Sequence, residues 1–224
     1  MPHQLPLDLE APDRYSRDRF IATPPLRDVL SLLERDKSWL SPHLILQGPT
    51  GSGKTHLGHI FAADHDGLFL SAADTHQLDP ARLEARPYVV DDAEMADEEA
   101  LFHLSNHVQT YGQKLVLTTH IQPLMWETHL PDLASRLRAM RLIVLPEPDE
   151  DLLTGIFHKL FSERAISPSA DCIDYLVRRM DRSVATAQKI VTELEHYANG
   201  RPFNRMLARD YMESGQTSLF DEST

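Results

Sequence analysis

The sequence predicts an α/β domain built on a parallel sheet, followed by a small all-helical domain. Three observations carry that expectation. Between residues 43 and 146, short apolar runs alternate with segments of helical periodicity, the pattern of a sheet covered on both faces. The stretch GPTGSGKT (48–55) stands between the first apolar run and the first helical segment of that alternation. After Pro146 and Pro148 no further strand-like run occurs, and apolar residues recur at helical spacing only.

The elements follow in order. Residues 1–12, rich in proline, are expected to form an arm. PLRDVLSLLERD (25–36) opens on a proline and spaces leucines at 26, 30 and 33, which predicts a helix. HLILQG (43–48) is a strand running into a glycine, and KTHLGHIFAAD (54–64) is a helix. GLFL (67–70) is a short strand, and YVVDD (88–92) is a strand ending in two carboxylates. EEALFHLSNHVQTYG (98–112) reads as a helix closed by Gly112. KLVLTT (114–119) and RLIVLP (141–146) are strands separated by the helical segment PDLASRLRA (131–139). In DLLTGIFHKLFSERA (151–165), Leu152, Leu153, Ile156, Phe157, Leu160 and Phe161 share one helical face. SADCIDYLVRRM (169–180), VATAQKIVTELEHYA (184–198) and RMLARDYM (205–212) add further helices, and SGQTSLFDEST reads as a polar tail. The expected division is an arm at 1–12, an α/β domain at 13–147, a helical domain at 148–213 and a tail at 214–224.

The bulk numbers narrow the function classes. A net charge of −12 argues against a protein that coats nucleic acid, because neutralising phosphates needs lysine and arginine. A hydrophobic content of 42% supplies a real core. A single cysteine, Cys172, fits a reducing compartment, and no basic region precedes an apolar block at the N-terminus, so a cytoplasmic location is expected. No apolar run approaches the ~20 residues of a membrane span. His103 and His107 are four apart on a helix, but no carboxylate or cysteine completes a metal pattern, so they read as helix-surface residues.

GPTGSGKT has the spacing of a phosphate-binding loop: Gly48, four residues, then Gly53, Lys54 and Thr55, between a strand and a helix. The loop Gly48, Pro49, Thr50, Gly51, Ser52, Gly53 would turn backbone N–H groups toward phosphates, aided by the positive end of the following helix. Lys54 would reach the outer phosphates, and the Thr55 hydroxyl would hold Mg2+. Asp91, at the end of an apolar strand, would orient that ion, and Asp92 follows where a carboxylate can polarise the attacking water. The polar strand end with Thr118, Thr119 and His120 offers residues between metal and γ-phosphate. Two arginine clusters, Arg136/Arg138/Arg141 and Arg178/Arg179/Arg182, are either solvated faces or transition-state partners for a nucleotide.

The order of these motifs resembles the AAA+ proteins of the DnaA family, over nearly the whole chain, and within that family the regulatory Hda group. The resemblance implies an AAA+ P-loop NTPase core with a helical lid, and ADP or ATP with Mg2+ as cofactors. VVDDAE is similar to the family's magnesium site and LVLTTHIQP to its sensor strand, which implies sensor roles for Thr118 and Thr119. LPDLASRL resembles the arginine-finger segment and points to Arg136, acting in trans. MDRSVATAQ resembles the lid motif and points to Arg182 as a nucleotide-binding residue. QLPLDL looks like a short motif that binds the DNA polymerase sliding clamp (its beta subunit), through Gln4, Leu5, Leu7 and Leu9.

The implied role is regulation: a clamp-bound protein, expected as a homo-oligomer such as a dimer, that promotes hydrolysis of ATP held by DnaA. DNA would be met only indirectly, through the clamp, because no DNA-reading domain follows the lid, and no membrane contact is expected. Two features modify this expectation. The sensor strand continues with His120 and Ile121 where the initiator has an acidic residue and an arginine, which implies weak hydrolysis by the chain itself. QTSLF (216–220) also has a clamp-peptide form, so Gln216, Leu219 and Phe220 are a second candidate contact. An edge strand of the chain's own sheet is the alternative for the arm. An autonomous ATPase or helicase loader, and a non-catalytic clamp-binding adaptor, are the alternative functions.

Overall fold

A computed structural model describes residues 15–35, 39 and 41–217. The arm, with Gln4, Leu5, Leu7 and Leu9, lies outside the described residues, as do Leu219 and Phe220. The chain divides into two compact units: residues up to Pro49 with Gly53–Pro146, and Thr50–Ser52 with Glu147 onward.

The first unit is a five-stranded parallel sheet. Its strands are β1 (His43–Gln47), β2 (Leu68–Ser71), β3 (Tyr88–Asp91), β4 (Leu115–Thr119) and β5 (Arg141–Val144), in the order β2-β3-β4-β1-β5. All pairings are parallel, with Leu46 opposite Thr118, Gln47 opposite Thr119 and Val90 opposite Leu117. Helices α1 (Pro24–Glu34), α2 (Lys54–Asp64), α3 (Ala72–Thr75), α4 (Glu98–Thr110) and α5 (Pro131–Ala139) connect or precede the strands. The period of two along each strand sends alternate residues to opposite cores. Leu44, Leu46, Val89 and Val116 join Leu57 and Phe61 of α2 and Leu33 of α1. Ile45, Tyr88, Val90, Leu115 and Leu117 join Leu101 and Leu104 of α4 and Leu133 and Leu137 of α5. Leu46, Leu57 and Leu104 are fully excluded from solvent, and each such burial contributes about 1.5–3 kcal/mol. The expected α/β class is therefore found, with both sheet faces covered.

The second unit is helical: α6 (Glu150–Ser162), α7 (Ala170–Val177), α8 (Val184–Ala198) and α9 (Arg205–Thr217). Leu153, Ile156, Phe157, Leu160 and Phe161 of α6 are buried, with Ile173 and Leu176 of α7, Ala187, Ile190 and Leu194 of α8 and Leu207 of α9. Cys172 is part of this core, and burial pushes its thiol up to about 11, so it behaves as a small apolar side chain. Element ends differ from the sequence reading by one to three residues in several places, and by more at α9. α9 continues to Thr217, through residues assigned to the tail. An Arg209–Glu213 pair four residues apart and the Ser214 hydroxyl donating to Tyr211 O support that extension. The backbone of Gln216 thus lies in the last turn of α9.

Aromatic stacking fixes the segment before α1 to α2. Tyr15 stacks on His59 (ring centroids 4.3 Å apart), and His59 stacks on Phe69 of β2 at 3.6 Å. Phe20 meets His56 edge-on, and His56 Nε2 is 2.9 Å from Ser16 O. Burial lowers the pKa of both imidazoles, that of His59 to about 4 with His56 adding to the shift. The folded state keeps these rings neutral, whereas the unfolded chain protonates them near 6.5. Between those values the unfolded state binds more protons, so stability is expected to fall as pH drops from about 6.5 to about 4, then level off. Urea unfolding at pH 7.5 and pH 5 checks this, and His59→Phe, which keeps the stack, should flatten the dependence.

Candidate functional site

The sheet order makes β3, β4 and β1 neighbours, so their carboxyl ends, the usual ligand edge of a parallel sheet, lie side by side. β1 gives way at Gly48, whose N–H donates to Thr119 O at 3.1 Å, tying the loop to the end of β4. The loop then turns into α2 through Gly51 (φ +75°) and Gly53 (φ +96°). Side chains other than glycine rarely adopt that left-handed backbone, so these two positions explain the motif's glycines. Gly53 is the residue before α2, whose first N–H groups have no intrahelical acceptor and face an incoming anion with the helix dipole.

Lys54 is 4% exposed, yet its ammonium is satisfied. Nζ donates to Gly48 O (2.8 Å), to Pro49 O (3.0 Å) and to His120 Nδ1 (3.4 Å). Burial lowers its pKa, and the nearby Asp91, Asp92 and Glu94 carboxylates oppose that shift. A buried cation held by loop carbonyls is positioned to exchange those oxygens for phosphate oxygens. Ser52 Oγ is buried without a hydrogen-bond partner, a polar atom that a bound anion or its water would satisfy.

The acids are organised by β4. The Thr118 hydroxyl, fully buried, donates to Asp91 Oδ1 and accepts the Asp92 N–H at 3.1 Å. The Thr55 hydroxyl donates to Asp91 Oδ2 at 3.0 Å. Burial raises the Asp91 pKa; the Thr118 and Thr55 hydroxyls counter it, while Asp92 adds to it. A cation at this point would reverse the penalty of burying Asp91. One carboxylate and one hydroxyl are hard oxygen donors that suit Mg2+, which takes its remaining ligands from phosphate and water. Among the described residues no group of three or more His, Cys, Asp or Glu is placed to hold a metal.

Asp92 has a left-handed backbone (φ +53°), and its Oδ1 lies 3.0 Å from His120 Nε2. Thr119, although fully buried, serves its own turn: its hydroxyl donates to Ile121 O and accepts the Ile121 N–H. Thr118, not Thr119, is therefore the threonine in contact with the acids. Sequence reasoning missed Glu94. Its Oε1 accepts the His120 N–H at 2.8 Å, and its Oε2 is buried without a partner. Three residues past Asp91 in an acidic stretch, Glu94 carried no signal that separated it from a solvated turn.

Among the predicted arginines, Arg136, Arg179 and Arg182 have partners within their own units. Arg136 is in the last turn of α5, where Nη1 donates to Gln109 Oε1 of α4 at 3.1 Å and the guanidinium sits 5.4 Å from the centre of the Phe102 ring. Arg138 and Arg141 are exposed. In the second unit Arg179 lies 3.9 Å over the Tyr175 ring, and Arg178 caps the end of α7. Arg182, just before α8, donates from Nη2 to Glu150 Oε1 at 2.9 Å within the same unit. His107 Nε2 is 2.8 Å from Glu84 O.

No family model matches the chain. It is similar to the chromosomal replication initiator protein DnaA of Zymomonas mobilis, 26% identical over 224 residues, covering 86% of this chain and 46% of that protein. DnaA of Sphingopyxis alaskensis is also 26% identical, over 81% of this chain and 46% of its own length. The chain thus spans about half the length of these curated relatives. An uncharacterized protein of Haemophilus influenzae is 24% identical, with 83% of this chain and 87% of that protein covered. Among solved structures, AMPPCP-bound DnaA from Aquifex aeolicus superposes with a TM-score of 0.73 at 17% identity, covering 92% of this chain and 71% of that one. Domain III of Thermotoga maritima DnaA gives 0.71 at 17% identity, covering 87% and 93%. The Thermotoga maritima RuvB motor gives 0.65 at 19% identity, covering 89% and 72%. The chain has the α/β P-loop NTPase fold of the AAA+ domains in DnaA and RuvB, and in sequence it is related, at low identity, to DnaA.

Proposed function

We propose that this chain is a cytoplasmic, nucleotide-binding regulator of replication initiation of the Hda type. It binds ADP or ATP with Mg2+, docks on the sliding clamp, and supplies Arg136 to the ATP site of DnaA, whose ATP is then hydrolysed. The nucleotide half rests on one observation: Thr55 and Thr118 both donate to Asp91 at the carboxyl end of β3, with Lys54 held by the carbonyls of the adjoining loop, in a fold shared with AMPPCP-bound DnaA. The regulatory half is supported by the segment LPDLASRL, whose Arg136 lies in the last turn of α5. Asp92 and Arg182 complete the proposed set, as water-orienting acid and lid arginine, in a chain that acts as a homo-oligomer. Slow hydrolysis by the chain alone follows from Asp92 being engaged by His120 rather than free.

Clamp binding is tested by truncation. The alternate leucines of QLPLDLE, as an extended peptide, point one way into a groove, and each buried leucine offers about 1.5–3 kcal/mol before ordering costs. Removing residues 1–10 should therefore cost most of the affinity for the clamp, measured by surface plasmon resonance, while removing 215–224 should cost little. The reverse pattern would assign the contact to Gln216, Leu219 and Phe220; no loss in either would exclude docking on the clamp.

A further inference from the structure

His120 stands at the junction of two parts of the site that are remote in sequence. Its ring lies between the loop lysine and the second acid. Nδ1 accepts from Lys54 Nζ at 3.4 Å, and Nε2 faces Asp92 Oδ1 at 3.0 Å. Its backbone N–H donates to Glu94 Oε1 at 2.8 Å, which fixes the main chain that carries the ring. The partners dictate the tautomer: an ammonium can only donate, so Nδ1 must accept, which leaves the proton on Nε2, aimed at a carboxylate that can only accept. Each contact thus supports the other.

We infer that His120 is a positioning residue that restrains the Asp92 carboxylate and ties that restraint to the position of Lys54. The inference rests on the proposal that the loop binds a nucleotide. A carboxylate oxygen that already accepts from Nε2–H is a weaker acceptor for water, and its lone pair points at the ring. While Lys54 holds Nδ1, the ring is held on both sides. When Lys54 turns to phosphate oxygens, Nδ1 loses its donor and only the Asp92 contact keeps the ring in place. Nucleotide at the loop is thereby reported to Asp92 through one side chain. His120 acts as a brake on the chain's own turnover, loosened but not removed by nucleotide. The pair is partly exposed, 39% for His120 and 49% for Asp92, so the brake is modest.

The test combines a spectroscopic and a kinetic readout on the full chain. Nitrogen-15 NMR of the histidine rings in nucleotide-free protein should show His120 as the Nε2–H tautomer. Lys54→Met should shift the His120 Nδ1 resonance and Asp92→Asn its Nε2–H resonance; ADP should reproduce the Lys54→Met shift. His120→Ala should raise ATP turnover by the chain alone about two- to five-fold, with ADP affinity changed by less than about two-fold. His120→Gln, which retains a donor, should restore the slow rate, and it serves as the probe should the alanine variant fold poorly. An Nδ1–H tautomer, ring signals indifferent to both Lys54→Met and Asp92→Asn, or turnover unchanged or lower in His120→Ala, would overturn the inference. Failure of the wild-type chain to bind ADP would instead overturn the nucleotide reading, and the ring measurements in nucleotide-free protein would still decide whether His120 joins Lys54 to Asp92.

Discussion

Arg136→Ala is expected to abolish stimulation of the partner's ATP hydrolysis while leaving nucleotide and clamp binding in place. An arginine delivered in trans to a phosphoryl-transfer site accelerates hydrolysis by about 10³–10⁵, because it meets charge that develops on the transferring group. The structural cost is small. Arg136 gives up a hydrogen bond to Gln109 and a stacking contact with Phe102, both near the surface and worth about 1 kcal/mol or less each. Those contacts hold the guanidinium against α4, and the proposed reach to a partner's phosphate would require giving them up. Arg138→Ala is the matched control, two residues further along α5 and exposed. If stimulation survives Arg136→Ala and is lost in Arg138→Ala, the finger is Arg138.

Lys54→Ala is expected to weaken ADP and ATP binding by about ten- to a hundred-fold, from a hydrogen bond to a charged group worth about 1.5–3 kcal/mol. Lys54 is buried, so loss of fold is the competing explanation. The carbonyls of Gly48 and Pro49 border the loop, and after substitution water can satisfy them. Circular dichroism should therefore show an intact fold, with titration calorimetry reporting the affinity loss. Lys54→Met, which keeps most of the side-chain volume, should give the same loss. Equal affinity in both variants would mean that nucleotide does not sit on this loop.

The parts of the molecule legible in the sequence are those set by short-range pattern. The opposite facings of Leu44 and Ile45 and of Val89 and Val90 follow from strand alternation, and the cores sort them that way. α5 and α8 begin and end where they were read, because Pro131 opens one and Asn199, with φ +44°, closes the other. Contacts made by topology were not legible. Lys54 and His120 are 66 residues apart and meet only because β4 inserts beside β1. The pairing of β4 with β3 on its other side brings Thr118 to Asp91, while Thr119 turns to its own loop, a difference that two adjacent threonines do not announce. α3 is not legible in the sequence because four residues carry no periodicity; a capping box between Ser71 and Asp74 defines it locally.

ATP turnover in a reconstituted mixture measures the proposed regulation of another protein's ATPase. DnaA, the sliding clamp loaded on DNA, and this chain would be combined, with turnover of DnaA-bound labelled ATP followed over time. Slow turnover is expected with this chain alone and with DnaA alone, and a large rise only when all three components are present. That rise should vanish with Arg136→Ala and with a chain lacking residues 1–10. Turnover by this chain alone that matches the full mixture, or a mixture no faster than DnaA by itself, would contradict the proposed regulation.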